Sequence, residues 1–443
     1  MLAKFKKKYI GDWDFYQKYL LLAIPMILQN AITNLVSFLD NIMVGQLGTE
    51  QMSGVAIVNQ LIFVYNLAIF GAVSAASIFG AQYFGKGNHK GHMYSFRFKL
   101  YATLLVTGGA ILLFLTKGSA LISLYLTDTV GNGATDLALQ YGLEYLAIMM
   151  VGLIPFAVNQ SYATNIKETG QTFIPMLASF VAVGTNAILD YLMIFGIGPF
   201  PELGVQGAAL ATVIARYIEA LIVVIWAHIH RGKNRYLEGA YTGFGIPLAE
   251  LKAILIKGFP LMMNEVLWAA GMTTVTQCYS VRGLDVVAGL NIASTITNLF
   301  NIVYLQLGSC ISIVVGQYLG AGKLEDAKDA DNKMIVFSVF CCVIMAALMF
   351  VVGGFFPGIY NTTEEIRELA TSFIAVSAII MPFCAFSHAS YFTLRSGGKT
   401  VVTFLFDSVF TWVIVVPAAY LLAHFTGLGI VQKLSHLEMG IMI

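Results

Sequence analysis

Apolar runs of about twenty residues or more, the length a helix needs to cross a bilayer, alternate with short polar stretches along nearly the whole chain. The pattern predicts eleven membrane helices, at 19–45, 55–84, 98–115, 137–166, 173–197, 206–228, 253–279, 288–319, 334–355, 369–394 and 401–424. A twelfth is expected after Gly427, but the tail 430–443 is short for a span and carries Gln432, Lys433, His436 and Glu438, so the last helix is expected to be short or truncated. Lysine and arginine set the orientation. With the N-terminus inside, twenty of them fall on inner segments, among them Lys4, Lys6, Lys7, Lys8, Lys86, Lys99, Arg231 and Lys252. The outer loops hold only Lys117, Arg282 and Arg367, which satisfies the positive-inside rule. The expectation is a multi-pass protein of the cell membrane with a cytoplasmic N-terminus.

The pattern also repeats. A shift of 235 residues lays Pro25 on Pro260, Gly48 on Gly283 and Gly54 on Gly289, and Gln82-Tyr83-Phe84-Gly85-Lys86-Gly87 on Gln317-Tyr318-Leu319-Gly320-Ala321-Gly322. At a shift of 228, Lys167, Gly170 and Thr172 match Arg395, Gly398 and Thr400. Both repeats begin inside, so they share one orientation. The predicted fold is all-α and integral to the membrane: two parallel six-helix bundles on a twelve-helix plan, related by a pseudo-two-fold axis along the membrane normal, with a substrate path between them. The predicted organisation is an N-terminal lobe over 1–235, a cytoplasmic linker over 236–252, and a C-terminal lobe over 253–443 with spans seven to eleven and an incomplete twelfth.

Composition narrows the function classes. Charged residues make up 11% of the chain against 58% hydrophobic ones, far below the roughly 25% charged residues of soluble domains. A net charge of +1 gives no reason to expect a nucleic-acid partner. The five cysteines, Cys278, Cys310, Cys341, Cys342 and Cys384, lie in apolar runs without disulfide or CxxC spacing. Gly397-Gly398-Lys399-Thr400 resembles the end of a phosphate-binding loop, but Thr393 stands where the first glycine belongs, so ATP binding is rejected. No HExxH or GxSxG motif appears, and neither an enzyme nor a cofactor is expected.

The chemistry therefore sits in polar residues at bilayer depth, where a charge costs on the order of 2.5–3.5 kcal/mol on insertion scales. Asn186 and Asp190 share one face of the fifth span, and Asp40 lies late in the first. Thr212 and Ala208 share a face near the outer start of the sixth. Counting about 1.5 Å per residue puts Asp40, Asp190 and Thr212 in the outer third of the bilayer. Two carboxylates, an amide oxygen, a hydroxyl and a backbone carbonyl make an oxygen-rich set for Na+ or for a shared proton, with Asn159 of the fourth span as a neighbour. In the C-terminal half, Glu265 of the seventh span and His388 of the tenth lie at comparable depths from the inner face. Trp268 is one turn from Glu265, an arrangement suited to a bulky organic cation. Arg216 and Glu219, three apart in the sixth span, are expected to form a structural ion pair, and Pro155 and Pro382 are candidate kink positions.

These residues resemble a family. The stretches Leu39-Asp40-Asn41-Ile42-Met43-Val44-Gly45-Gln46-Leu47-Gly48, Asn186-Ala187-Ile188-Leu189-Asp190-Tyr191 and Gly204-Val205-Gln206-Gly207-Ala208-Ala209-Leu210-Ala211-Thr212, with the repeated Gln-Tyr-x-Gly-x-Gly, resemble those of multidrug and toxic compound extrusion (MATE) transporters. The resemblance runs to about Gly429. It implies a V-shaped pair of lobes that exports cationic drugs by antiport, a cation site at Asp40, Asn186, Asp190 and Thr212 with Asn159 close by, and a functional acid at Glu265. Where some members carry an aspartate in the tenth span, this chain has Cys384 and His388. The expected function is Na+- or H+-coupled export of small organic cations by a monomer in the lipid bilayer. The rival is a lipid-linked oligosaccharide flippase of similar plan, which would need several cavity arginines to hold a pyrophosphate.

Overall fold

A computed structural model of the protein describes residues 8–126, 132–280 and 283–425. Among them every regular element is helical. In the first half these are α1 (Trp13–Gly45), α2 (Thr49–Gly85), α3 (His89–Ser123), α4 (Asn132–Val151), α5 (Leu153–Glu168), α6 (Phe173–Ile194) and α7 (Gly204–Ile229). The second half holds α8 (Leu248–Ser280), α9 (Leu284–Gly320), α10 (Leu324–Gly353), α11 (Glu364–Ser396) and α12 (Thr400–Phe425), the last with π-helical turns over Leu405–Val409 and Thr411–Val415. Ten of these helices are long and apolar enough to cross a membrane, and α4 with α5 makes an eleventh span, bent by 44°. The eleven predicted spans are therefore all present among the described residues. The predicted twelfth lies outside them.

The fourth span is the one that differs in form. A single helix over 137–166 is predicted, but the chain breaks at Gly152, and Pro155 falls in the first turn of α5, where its missing N–H has no helical partner to lose. Pro382 leaves α11 continuous from Glu364 to Ser396.

The described residues group into two compact units. One comprises Ile24–Phe84 with Asn88–Ile254; the other comprises Gly85–Gly87 and the described residues of Met1–Ala23 and Leu255–Ile443. The start of α1 thus groups with the second unit, where Tyr16 stacks on Phe337 at 4.7 Å and Tyr19 donates to the Leu307 carbonyl at 2.9 Å. The matched glycines of the repeat show why glycine recurs there. Gly87 and Gly322, after α2 and α9, have φ of +70° and +74°, and Gly170 and Gly398 have +83° and +71°, values that residues with a Cβ rarely adopt.

Gly54 has a different reason. A Cβ there would lie 2.5 Å from the Ala138 carbonyl oxygen, so α2 and α4 pack backbone to backbone. At its counterpart Gly289 a Cβ would lie 3.2–3.3 Å from Leu369 and Phe373 of α11. Gly54→Val is expected to destabilise the protein by about 1–3 kcal/mol through overpacking, read as a lower melting midpoint in detergent. An unchanged midpoint would mean that this helix contact contributes nothing to stability.

Candidate functional site

In the first unit, α6 and α7 run antiparallel in a register fixed by three hydrogen bonds. The Leu203 amide donates to the Met193 carbonyl at 2.9 Å, Asn186 Nδ2 donates to Thr212 Oγ1 at 3.4 Å, and Ser179 Oγ donates to Glu219. That register sets the small, fully buried Ala208 beside Asp190. Asp190 is 0% exposed, and its carboxylate makes no well-formed hydrogen bond, with the Asn186 side chain one turn away as a loose donor. Asp40, on α1, lies within electrostatic reach of it and keeps its own buried Oδ1 unpartnered. Asn159 of α5 is buried with its Oδ1 likewise unpartnered. A buried carboxylate short of donors is costly, and its unused lone pairs are the ligands a hard cation takes. The structure thus connects Asn186 to Thr212 and Asp40 to Asp190. No hydrogen bond joins Asn159 to the other four.

Arg216 does not pair with Glu219. Among the described residues no carboxylate lies within 4.0 Å of it, although the two are three apart on one helix. Glu219 instead accepts from Ser179, whose Oγ accepts from Gln29 at 2.7 Å. The guanidinium lies over the Phe156 ring at 5.2 Å and donates to the Gly152 carbonyl at 3.4 Å. The break is braced from other helices: besides Arg216 on Gly152, the Tyr65 hydroxyl donates to the Leu153 carbonyl at 3.0 Å.

In the second unit, Glu265 on α8 is half-buried and, among the described residues, has no ion pair within 4.0 Å; Arg395 and Asp407 lie within electrostatic reach of it. Asp407 escaped the sequence analysis. It sits in the π-helical part of α12 and accepts from Asn264 Nδ2, the residue before Glu265, at 2.7 Å. Ser408 Oγ donates to Asn264 Oδ1, also at 2.7 Å, and Asn264 Nδ2 reaches the Tyr391 hydroxyl at 3.4 Å. Insertions of this helical kind recur at functional sites. Trp268 is 42% exposed one turn from Glu265. His388 packs with Tyr304 at 4.9 Å and bonds the Cys384 carbonyl, and no hydrogen bond or ion pair joins it to Glu265.

A second buried cluster also went unseen. Lys99, counted among the inner-segment charges at the start of the third predicted span, is 0% exposed inside α3 and bonds both Glu168 and Asn165. His92 Nε2 lies 3.4 Å from Glu168 Oε2. Arg97 binds four carbonyls of the linker, those of Gly239, Ala240, Thr242 and Gly245. Arg216 is therefore not alone as a basic residue within a span.

Comparison with known proteins places these sites in context. A family model described as MatE matches residues 25–192 and again 260–421, the two matches starting 235 residues apart. The chain is 23% identical to the Probable multidrug resistance protein NorM of Thermotoga maritima over 411 residues, 92% of this chain and 86% of the relative. It is 24% identical to the protein of the same name from Halalkalibacterium halodurans over 413 residues, covering 93% and 88%. Among solved structures it superposes on a MOP superfamily transporter from Pyrococcus furiosus with a TM-score of 0.86 at 20% identity, covering 98% of this chain and 93% of that one. It also superposes on a structure of MATE in the straight conformation with a TM-score of 0.84 at 21% identity, covering 98% and 93%.

Proposed function

The chain belongs to the MatE family, and from that premise we propose that it exports small organic cations across the cell membrane in exchange for Na+ or H+. It is a multi-pass membrane transporter and not an enzyme. Asp190 carries the proposal: a fully buried carboxylate beside Asp40, with no well-formed hydrogen bond and no ion pair among the described residues, has a use for its charge only when a cation enters. In the proposed cycle the coupling ion binds Asp190 and Asp40 with Asn186, Thr212 and the Ala208 carbonyl, while Asn159 adjoins the set. The membrane potential drives that ion inward, worth about 2.3 kcal/mol per charge per 100 mV. Glu265 attracts the positive end of the cargo, with Trp268 offering a ring face. Asp407 shares that work, and His388 shapes the wall rather than holding charge. Exchange requires only that ion and cargo prefer different states of the protein.

The proposal takes a cytoplasmic N-terminus, a monomer, and lobes over 1–235 and 253–443 joined by 236–252. A flippase for lipid-linked oligosaccharide is not favoured, because the two candidate sites are built on acids, Asp40 and Asp190 in one and Glu265 and Asp407 in the other, which suit a cation and not a pyrophosphate. Uptake of ethidium into inverted vesicles under a Na+ or H+ gradient is expected to fall to background in Asp40→Asn. It should fall at least about tenfold in Glu265→Gln, the loss of one charged contact. Normal uptake in both variants would overturn the site assignment.

A further inference from the structure

Arg216 is the charge the proposed cycle leaves unused. It lies within the span formed by α7, with no carboxylate within 4.0 Å among the described residues and a single long hydrogen bond to a carbonyl at a helix break. Membrane-embedded arginines ordinarily pair with acids, and Glu219, one turn on, is occupied by Ser179. The position matters. Arg216 is one turn from Thr212 on α7, and Thr212 bonds Asn186, itself one turn from Asp190 on α6. By the register of the two helices, Arg216 lies level with Ala182, about 12 Å along the axis from Asp190. Tyr145 is within electrostatic reach of Asp40, Asp190 and Arg216 together, so all three belong to one electrostatic neighbourhood.

We propose that Arg216 is a resident counter-charge of the N-terminal cation site: a fixed positive group that weakens the hold of Asp190 and Asp40 on the coupling cation, so that the ion can leave. It acts through the carboxylates and is a positioning residue. This rests on the reading of Asp190 and Asp40 as the coupling-ion site. A guanidinium keeps its proton inside proteins, so its repulsion persists in every state. At about 12 Å through a medium of effective dielectric near 20, that repulsion lowers cation affinity roughly tenfold. Without it, two acids and an amide in a dry setting would retain the ion and stall turnover. The contact with Gly152 fits this role. It parks the guanidinium on the neutral carbonyl of the residue at the break between α4 and α5, and so keeps it from neutralising the acids outright.

The test compares Arg216→Gln, Arg216→Lys and Glu219→Gln, with Asp190→Asn as the control, in reconstituted vesicles and by equilibrium binding of radioactive Na+. Arg216→Gln is expected to tighten the half-saturating cation concentration about tenfold and to lower maximal transport, a split that a merely damaged protein does not give. Arg216→Lys keeps the charge and should hold that concentration within about threefold. Glu219→Gln removes a nearby negative charge and should weaken cation binding, the opposite direction; it also carries the test if Arg216→Gln does not fold. Unchanged or weaker cation binding in Arg216→Gln, or no weakening in Glu219→Gln, overturns the proposal provided that Asp190→Asn abolishes the cation response. A full cation response in Asp190→Asn would instead remove the site on which the proposal depends. If that response proves to be to protons alone, the same shifts are read in the pH dependence of dye transport.

Discussion

Asp190→Asn is expected to abolish gradient-driven export while making the protein more resistant to heat. The first half follows from Coulomb's law. A carboxylate about 4 Å from a bound cation contributes about 4 kcal/mol at an effective dielectric near 20, so its loss lowers cation affinity by at least about 100-fold. The second half follows from burial. Asp190 is 0% exposed and makes no well-formed hydrogen bond, so its ionised form is held at a desolvation cost of several kcal/mol that the loose Asn186 amide and the more distant Arg216 offset only in part. An amide of the same shape carries no charge, and the variant should be stabilised by about 1–3 kcal/mol, seen as a melting midpoint several degrees higher in detergent. A carboxylate that served packing would behave in the opposite way, and its replacement would lower the midpoint. Ligand linkage gives a further contrast. Added coupling cation should raise the midpoint of the parent protein and leave that of Asp190→Asn where it is. A variant that melts earlier yet transports normally would show Asp190 to be structural.

How much of this was legible along the chain differs from residue to residue. The eleven spans were, because a run of apolar side chains long enough to cross a bilayer has almost no other use. The repeat was legible through Gly87 and Gly322 and through Gly170 and Gly398, since a backbone turned to positive φ constrains residue type directly. The pairing of Asn186 with Asp190 on one face needed only helical periodicity. The bend of the fourth span was legible through Pro155, but its sharpening into a break at Gly152 was not, because glycine inside an apolar run is common in membrane helices. The side chains that bond there, Arg216 and Tyr65, arrive from helices distant in sequence.

The Arg216–Glu219 expectation failed for a related reason. Spacing permits an ion pair on one helix, but Ser179 on the neighbouring helix competes for the same carboxylate. Asp407 carried a signal that went unused: a lone acid within the apolar run of the eleventh predicted span is a site hypothesis by default. Its partner Asn264 lies 143 residues away, which no local pattern reveals. Lys99 was misread because a lysine near the inner end of a span looks like a topology signal. Glu168 and Asn165, which hold it inside, are contributed by α5.

That buried pair makes the other large expectation. Lys99→Met alone is expected to destabilise the protein by about 3–5 kcal/mol, because it leaves Glu168 charged and enclosed. The surroundings are tight: Glu168 Oε2 stands so close to α2 that a Cβ at Gly80 would lie 2.0 Å from it, and His92 Nε2 lies 3.4 Å away. Water has no ready route in, since Lys99, Asn165, Glu168 and Tyr236 are all buried. Glu168→Met should cost a similar amount, for the lysine left behind. The double replacement Lys99→Met with Glu168→Met should recover most of the loss, since two thioether chains of similar volume fill the same space without charge to desolvate. The double-mutant cycle, read from thermal unfolding in detergent, is therefore expected to show a coupling of at least about 2 kcal/mol. Additive losses would mean that Lys99 and Glu168 each stabilise the protein through separate contacts. Recovery in the double variant with transport intact would assign the pair to the scaffold that carries α3 and α5, leaving the cation chemistry to Asp40 and Asp190.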